Sequence, residues 1–331
     1  MNSTNPALSP PMRPSSAEAR SAPGTWQTQA PSTRQRAASF WCNLLFWSAR
    51  WTPWITKTTV QFWVWSSWIC SPAIRAGTLA NARRLLGPAS TLAERRRHAR
   101  RVIRNFMMFV YDIGVRSAMT QQEIHACITA VEGEEHYEAA RRIGRGVIIA
   151  TAHMGSFEVG TSALRDREPR IHVVFQPDRL KAFNHIRSGL RRKLGVIDAP
   201  IEDGLQTWAT LRDALLRNEA VLIQADRVMP GQRGAVVPFF DGHAELPLGP
   251  VKLAKLTGAP ILPVFSLVEP DRSVRIVIEA PIMMDEDDAA LGHGAPRALL
   301  QLAATLEKNI RRSPDQWLIL YRAWLEDRTQ A

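Results

Sequence analysis

Val147-Ile148-Ile149-Ala150-Thr151-Ala152-His153-Met154-Gly155-Ser156-Phe157-Glu158 is the stretch on which the reading of this chain turns. Its first six residues are uncharged and mostly aliphatic, as a strand buried on both faces of a parallel sheet requires. A histidine at the carboxyl end of such a strand stands where open α/β sheets place their ligands. Residues five apart on one continuous helix point about 140° away from each other, given ~3.6 residues per turn. His153 and Glu158 can therefore meet only if a helix begins between them, and Gly155-Ser156, with Ser156 as the N-cap, supplies that start. The expectation is that Glu158 accepts the imidazole Nδ1–H and steadies its charge while Nε2 removes a proton from an alcohol. In isolation the pattern also suits a buried, hydrogen-bonded core histidine.

Downstream, β-rich runs at 171–176, 220–225, 261–268 and 274–279 alternate with helical stretches at 179–194, 205–217, 249–256 and 295–312. That alternation predicts an α/β fold, a wound mixed sheet flanked by helices, spanning residues 145–325. Upstream, residues 1–38 are rich in Pro, Ser, Ala and Thr and read as a disordered tail without the apolar run of an export signal. Residues 39–75 are a Trp-rich segment holding Trp41, Trp47, Trp51, Trp54, Trp63, Trp65 and Trp68. The longest uncharged run in it, Thr58 to Ile74, is shorter than the roughly 20 residues that span a bilayer, so an interfacial or re-entrant helix is expected. A buried core helix is the alternative. Residues 76–144 form a basic helical region, with a helix expected over 75–104 carrying Arg83, Arg84, Arg95, Arg96, Arg97, Arg100, Arg101 and Arg104.

Overall the 331 residues carry 42 Lys and Arg against 31 Asp and Glu, a net charge of +11, which favours an anionic partner. The 11 Trp against 3 Tyr point to a membrane surface as that partner and away from nucleic acid. Cys42, Cys70 and Cys127 are odd in number and show no metal-like spacing, so neither a disulfide framework nor a metal site is expected. No Gly-x-Ser-x-Gly elbow and no phosphate-binding Gly-x-x-x-x-Gly-Lys loop occurs, and a cofactor-free transfer is expected.

Several further blocks stand in a definite order. They are Ala225-Asp226-Arg227 with Val237-Pro238-Phe239-Phe240, Leu248-Gly249-Pro250, Thr257-Gly258-Ala259-Pro260, and Pro314-Asp315-Gln316-Trp317. With the His-x-x-x-x-Glu motif they resemble the late acyltransferases of bacterial lipid A synthesis, within the wider glycerolipid acyltransferase group. The resemblance implies a membrane-associated O-acyltransferase at the cytoplasmic face of a bacterial inner membrane. It would move a fatty acyl chain from acyl-carrier protein or acyl-CoA to a hydroxyl of an anionic, lipid A-like glycolipid. It implies His153 and Glu158 as the catalytic pair, an arginine after the second strand and an acid after the fourth. Arg191 is the first match for that arginine, with Arg187 and Arg192 beside it, and Asp226 matches the acid, with Arg227 next to it. Arg187, Arg191, Arg192 and Lys193 share a short helical window, so at least two should face one side, toward a phosphate or a carrier. The N–H groups around Gly155 and a nearby arginine are the candidate donors to an oxyanion. Other lipid acceptors, such as a phosphoglycolipid, an aminolipid or a lysophospholipid, and an inactive membrane scaffold remain as alternatives. Asp241 stands where the family usually has Gly, which leaves the shape of that loop open.

Overall fold

The computed structural model describes residues 51–177, 181–229, 232–284 and 295–328. The 1–38 tail, Trp41, Cys42 and Trp47 lie outside the described residues. The centre is a seven-stranded mixed sheet in the order β1-β9-β8-β2-β5-β3-β4. Its members are β1 (Ile128–Glu132), β2 (Val147–Thr151), β3 (Ile171–Phe175), β4 (Ile197–Pro200), β5 (Ala220–Gln224), β8 (Ile261–Val268) and β9 (Val274–Ile278). Strands β8, β2, β5, β3 and β4 run parallel, and β9 returns antiparallel to β8. A separate hairpin pairs β6 (Gly234–Phe239) with β7 (Gly242–Pro247). The five β-rich runs thus form strands within one residue of the expected ends.

Period-two alternation along β2 sorts its side chains into the two faces of the sheet. Ile148 and Ala150 enter the core shared with α8 (Leu205–Leu216), α9 (Gly249–Thr257) and α10 (Arg297–Arg312). Val147 and Ile149 enter the opposite core, under α5 (Glu134–Arg142), α6 (Phe157–Arg165) and α7 (Lys181–Lys193), with the short α4 (Gln121–His125) beside them.

Three helices precede the sheet: α1 (Pro53–Cys70), α2 (Pro72–Leu86) and α3 (Leu92–Ala118). The single helix expected over 75–104 is therefore two helices. Pro88 lacks an N–H and restrains the residue before it, and Thr91 with Glu94 starts α3 afresh through a capping box. Val60 and Val64 of α1 pack on Ile103 and Met108 of α3, and the Arg100 guanidinium lies 5.1 Å from the Trp68 ring. Trp54, Phe62 and Trp65 stay exposed. Among the described residues no helix is long and apolar enough to cross a membrane. Asp241, at the tip of the β6–β7 hairpin, is held by Arg84 of α2 at 3.3 Å.

Candidate active site

The turn after β2 is built by donors and acceptors from three distant parts of the chain. Gly155 adopts φ +56°, and a Cβ there would come within 2.0 Å of the Ser266 carbonyl oxygen of β8, so only glycine fits. Ser156 is anchored on both sides: its N–H donates to that same carbonyl at 2.9 Å, and its hydroxyl accepts from Arg116 of α3 at 2.8 Å. The Gly155 N–H donates to the Gln316 carbonyl at 3.0 Å, and the Met154 N–H to the Ala152 carbonyl at 2.7 Å. With the His153 N–H bound to Asp226 Oδ2 at 2.9 Å, the turn N–H groups from 153 to 156 are all engaged. This corrects the expectation that Gly155 offers a backbone donor to an oxyanion; it is a close-packing residue.

A second correction concerns the partner of His153. Its Nδ1 lies 2.7 Å from Oδ1 of Asp226, on the loop after β5, and not on Glu158. Asp226 follows β5 directly, and β5 is paired in register with β2, so the two strand ends deliver the acid and the imidazole side by side. Oδ2 of the same carboxylate accepts from the Trp317 indole N–H at 2.9 Å. Burial alone would push the Asp226 carboxyl up, but the His153 ring, the His153 N–H and the indole outweigh it and hold the carboxyl down at about 2. For His153, burial lowers the pKa below its ordinary value against the pull of Asp226, with Arg227 and Arg187 adding to the depression. The result is a neutral imidazole whose Nδ1–H is committed to a carboxylate, leaving Nε2 as the nitrogen for the cavity.

Glu158 is buried in the first turn of α6, and its Oε1 accepts from Arg187 Nε of α7 at 2.8 Å. The helix does begin between His153 and Glu158, as the spacing requires, but the carboxylate then faces α7. Arg187 lines the His153 cavity. Arg191, one turn further along α7, does not: it is buried against Asp198 of β4 at 2.6 Å with its guanidinium 4.1 Å from the Phe175 ring. Arg192 and Lys193 are exposed, and the Lys193 ammonium donates to the Ser117 and Met119 carbonyls. The helical window therefore delivers one arginine to the site, Arg187, since Asp198 and Phe175 capture its neighbour.

The cavity holds about 420 Å³ and is walled by Phe106 and Phe109 of α3, Phe157, Val174, Phe175, Ile223 and Met229. Its polar groups are His153, Arg187, Arg227, Gln176, Gln224 and Gln232. Among the described residues the buried Gln224 Nε2 and Arg227 Nε have no hydrogen-bond partner. Gln224, the last residue of β5, gave no signal in the sequence beyond its place at a strand end. Trp317 belongs to a recognisable Pro-x-x-Trp block, but its bond to Asp226 joins residues 91 apart in the chain. A second cavity of about 410 Å³ lies beyond Phe109 and Leu318, and Asp112, Arg116 and Arg272 in and beneath it pair with one another. Among the described residues no cluster suited to a metal ion occurs.

Fold and site together define an α/β protein with a carboxylate-held histidine at the edge of an aromatic cavity. The chain belongs to the bacterial lipid A biosynthesis acyltransferase family, whose model matches residues 71–326. It is 27% identical over 202 residues to the phosphatidylinositol mannoside acyltransferase of Mycobacterium tuberculosis (strain ATCC 25618 / H37Rv), covering 61% of each chain. It is 29% identical over 199 residues to the protein of the same name from Mycolicibacterium smegmatis, covering 58% of this chain and 61% of that one. To the lipid A biosynthesis lauroyltransferase of Escherichia coli (strain K12) it is 25% identical over 211 residues, covering 59% of this chain and 61% of that one. The matches thus span about 61% of the length of these relatives.

Proposed function

We propose that the chain is a membrane-associated O-acyltransferase that moves a fatty acyl group from a thioester, carried by acyl-carrier protein or coenzyme A, to a hydroxyl of an anionic glycolipid. The observation that carries this reading is His153 at the end of β2, its Nδ1 on the buried Asp226 carboxylate and its ring in the aromatic cavity. In the step proposed, Nε2 takes the acceptor proton as the acceptor oxygen attacks the thioester carbonyl. The tetrahedral intermediate then collapses, breaking the C–S bond, and the imidazolium returns the proton to the departing thiolate. Asp226 stabilises the imidazolium between these two events, the part first expected of Glu158. The oxyanion is met by side chains, since the turn N–H groups are spent. Arg187, held by Glu158, is the first candidate, with Gln224 and Arg227 beside it.

Membership of the family supports a lipid A-like acceptor. A phosphoglycolipid of another kind is a second reading, favoured by the relatives whose names give phosphatidylinositol mannoside as substrate. At the membrane, the exposed face of α1 (Trp54, Phe62, Trp65) would lie among lipid headgroups, beside the arginines of α3. The inner-membrane, cytoplasmic-face setting belongs to the same proposal.

The test is a transfer assay with an acyl-carrier thioester and both kinds of acceptor. Wild type should transfer to at least one, and folded His153→Ala should lose the roughly 10²–10⁴-fold that general-base catalysis supplies. Near-wild-type transfer by His153→Ala would overturn the mechanism.

A further inference from the structure

Residues 318–324 belong to no helix or strand, yet Leu318, Ile319, Ala323 and Trp324 are buried. The polar backbone groups of such a segment need partners from elsewhere in the fold. At its inner end the Leu318 N–H donates to the His153 carbonyl at 2.8 Å, next to the Trp317 indole on Asp226. Further along, the partners come from α2. Asn81, 4% exposed, donates through Nδ2 to the Ile319 carbonyl at 3.2 Å and the Tyr321 carbonyl at 2.8 Å, and its Oδ1 accepts from the Ala323 N–H at 3.1 Å. One turn earlier, a Cβ on Gly77 would come within 2.5 Å of the Leu320 carbonyl oxygen. One turn later, Arg84 pairs with Asp327 at 3.2 Å. Positions 77, 81 and 84 share one face of a helix, so a single stripe of α2 grips the segment. The helix is anchored in turn, because Arg75 donates to the Trp68 carbonyl of α1 at 2.7 Å.

Two carbonyls and one N–H are met by one carboxamide, which carries two donors and an acceptor on a short stem. Aspartate has the same shape and no donor. We infer that Asn81 is a positioning residue for the His153–Asp226 pair: by fixing the path of residues 319–323 it seats Trp317 on Asp226 and Leu318 on the His153 carbonyl. The effect on turnover rests on the transferase reading above, whereas the effect on the imidazole itself does not. The charged groups that act on the ring are Asp226 and Arg227 from the loop after β5 and Arg187 from α7. A loosened segment takes the indole donor from Asp226 and admits water toward the ring. Both changes strengthen the hold of His153 on a proton.

The test titrates the His153 ring by NMR in the full-length protein with ring-labelled histidine, in micelles, with His153→Ala assigning its signal. The same proteins are assayed for kcat with an acyl-carrier thioester and whichever of the two acceptor kinds the wild type accepts. Asn81→Asp keeps the shape and sets acceptors against two carbonyls. It should raise the His153 midpoint by about half a unit toward the ordinary histidine value and lower kcat by about 10–100-fold, as small displacements of reacting groups do. Asn81→Ser, which brings no charge, should move both readings in the same direction, and it carries the test if Asn81→Asp does not fold. Arg83→Ala, at an exposed position of the same helix, should leave both unchanged. An unmoved midpoint in folded Asn81 variants overturns the positioning role, whatever happens to kcat, since a residue that serves stability alone lowers the folded fraction and leaves the ring as it is. If His153→Ala kept its transfer activity, the catalytic reading would fall while the midpoint shift still decided the role of Asn81.

Discussion

Four side chains at the site divide into two pairs, His153 with Asp226 and Glu158 with Arg187, and the division predicts how their effects combine. Residues that act as a unit are not additive. His153→Ala and Asp226→Asn together should be little slower in transfer than the worse of the two, and the same should hold for Glu158→Gln with Arg187→Ala. Crossing the pairs, as in Asp226→Asn with Glu158→Gln, should give losses that multiply. A cycle of purified variants in one transfer assay reads all of these; non-additivity between His153 and Glu158 would restore the pairing first expected. The pH profile carries a separate test. Burial depresses His153 and Asp226 pulls the other way, so the acid limb of the rate should lie below the ordinary histidine value of about 6.5. Asp226→Asn should move it lower still while slowing the plateau. On α7, Arg187→Lys should cost turnover and Arg191→Lys mainly stability, measured by denaturant unfolding, because a point charge replaces the two-pronged hold on Asp198.

Among the elements, the β2–α6 turn and the Pro314–Gln316 turn with Trp317 form one device. Gly155→Ala must either unwind φ +56° or push the Ser266 carbonyl out of β8, and should cost more than about 2 kcal/mol in unfolding experiments. Trp317→Phe keeps the packing and removes one donor from a buried carboxylate, for an expected loss of about 1–3 kcal/mol and a slower transfer. Here the limits of the sequence become visible. Four of the five β-rich runs carry no Asp, Glu, Lys or Arg, because burial on two faces writes itself into composition, and the fifth, 274–279, is marked by its β-branched residues. Edge strands β1 and β4 and the β6–β7 hairpin left no such mark, being short or half exposed. His153 was legible from its strand end and its motif. Its partner is hidden from the sequence because a spacing of five along the chain competes poorly with a neighbour delivered by the adjacent strand, 73 residues away. Nothing in the sequence marks Arg191, rather than Arg187, as the arginine that Asp198 and Phe175 claim.

At the scale of the molecule, the sheet divides the chain into two helical layers, with α3 reaching from α1 to the cavity mouth through Phe106 and Phe109. If α1 lies in the headgroup layer, Trp54→Ser, Phe62→Ser and Trp65→Ser together should release the protein from anionic vesicles in flotation assays while leaving its thermal unfolding nearly unchanged, since these side chains already face outward. Retention of the triple variant on vesicles would move the membrane contact elsewhere. The order in which the site is assembled along the chain has its own consequence. Imidazole, carboxylate and indole come from positions 153, 226 and 317, and the Gly155 N–H and the Asp226 carboxylate both wait for the last of these segments. During translation the base is made first and its support last. A nascent chain still lacking Trp317 carries a histidine whose carboxylate partner has one donor fewer, so the pair reaches its final setting only when the closing segment docks.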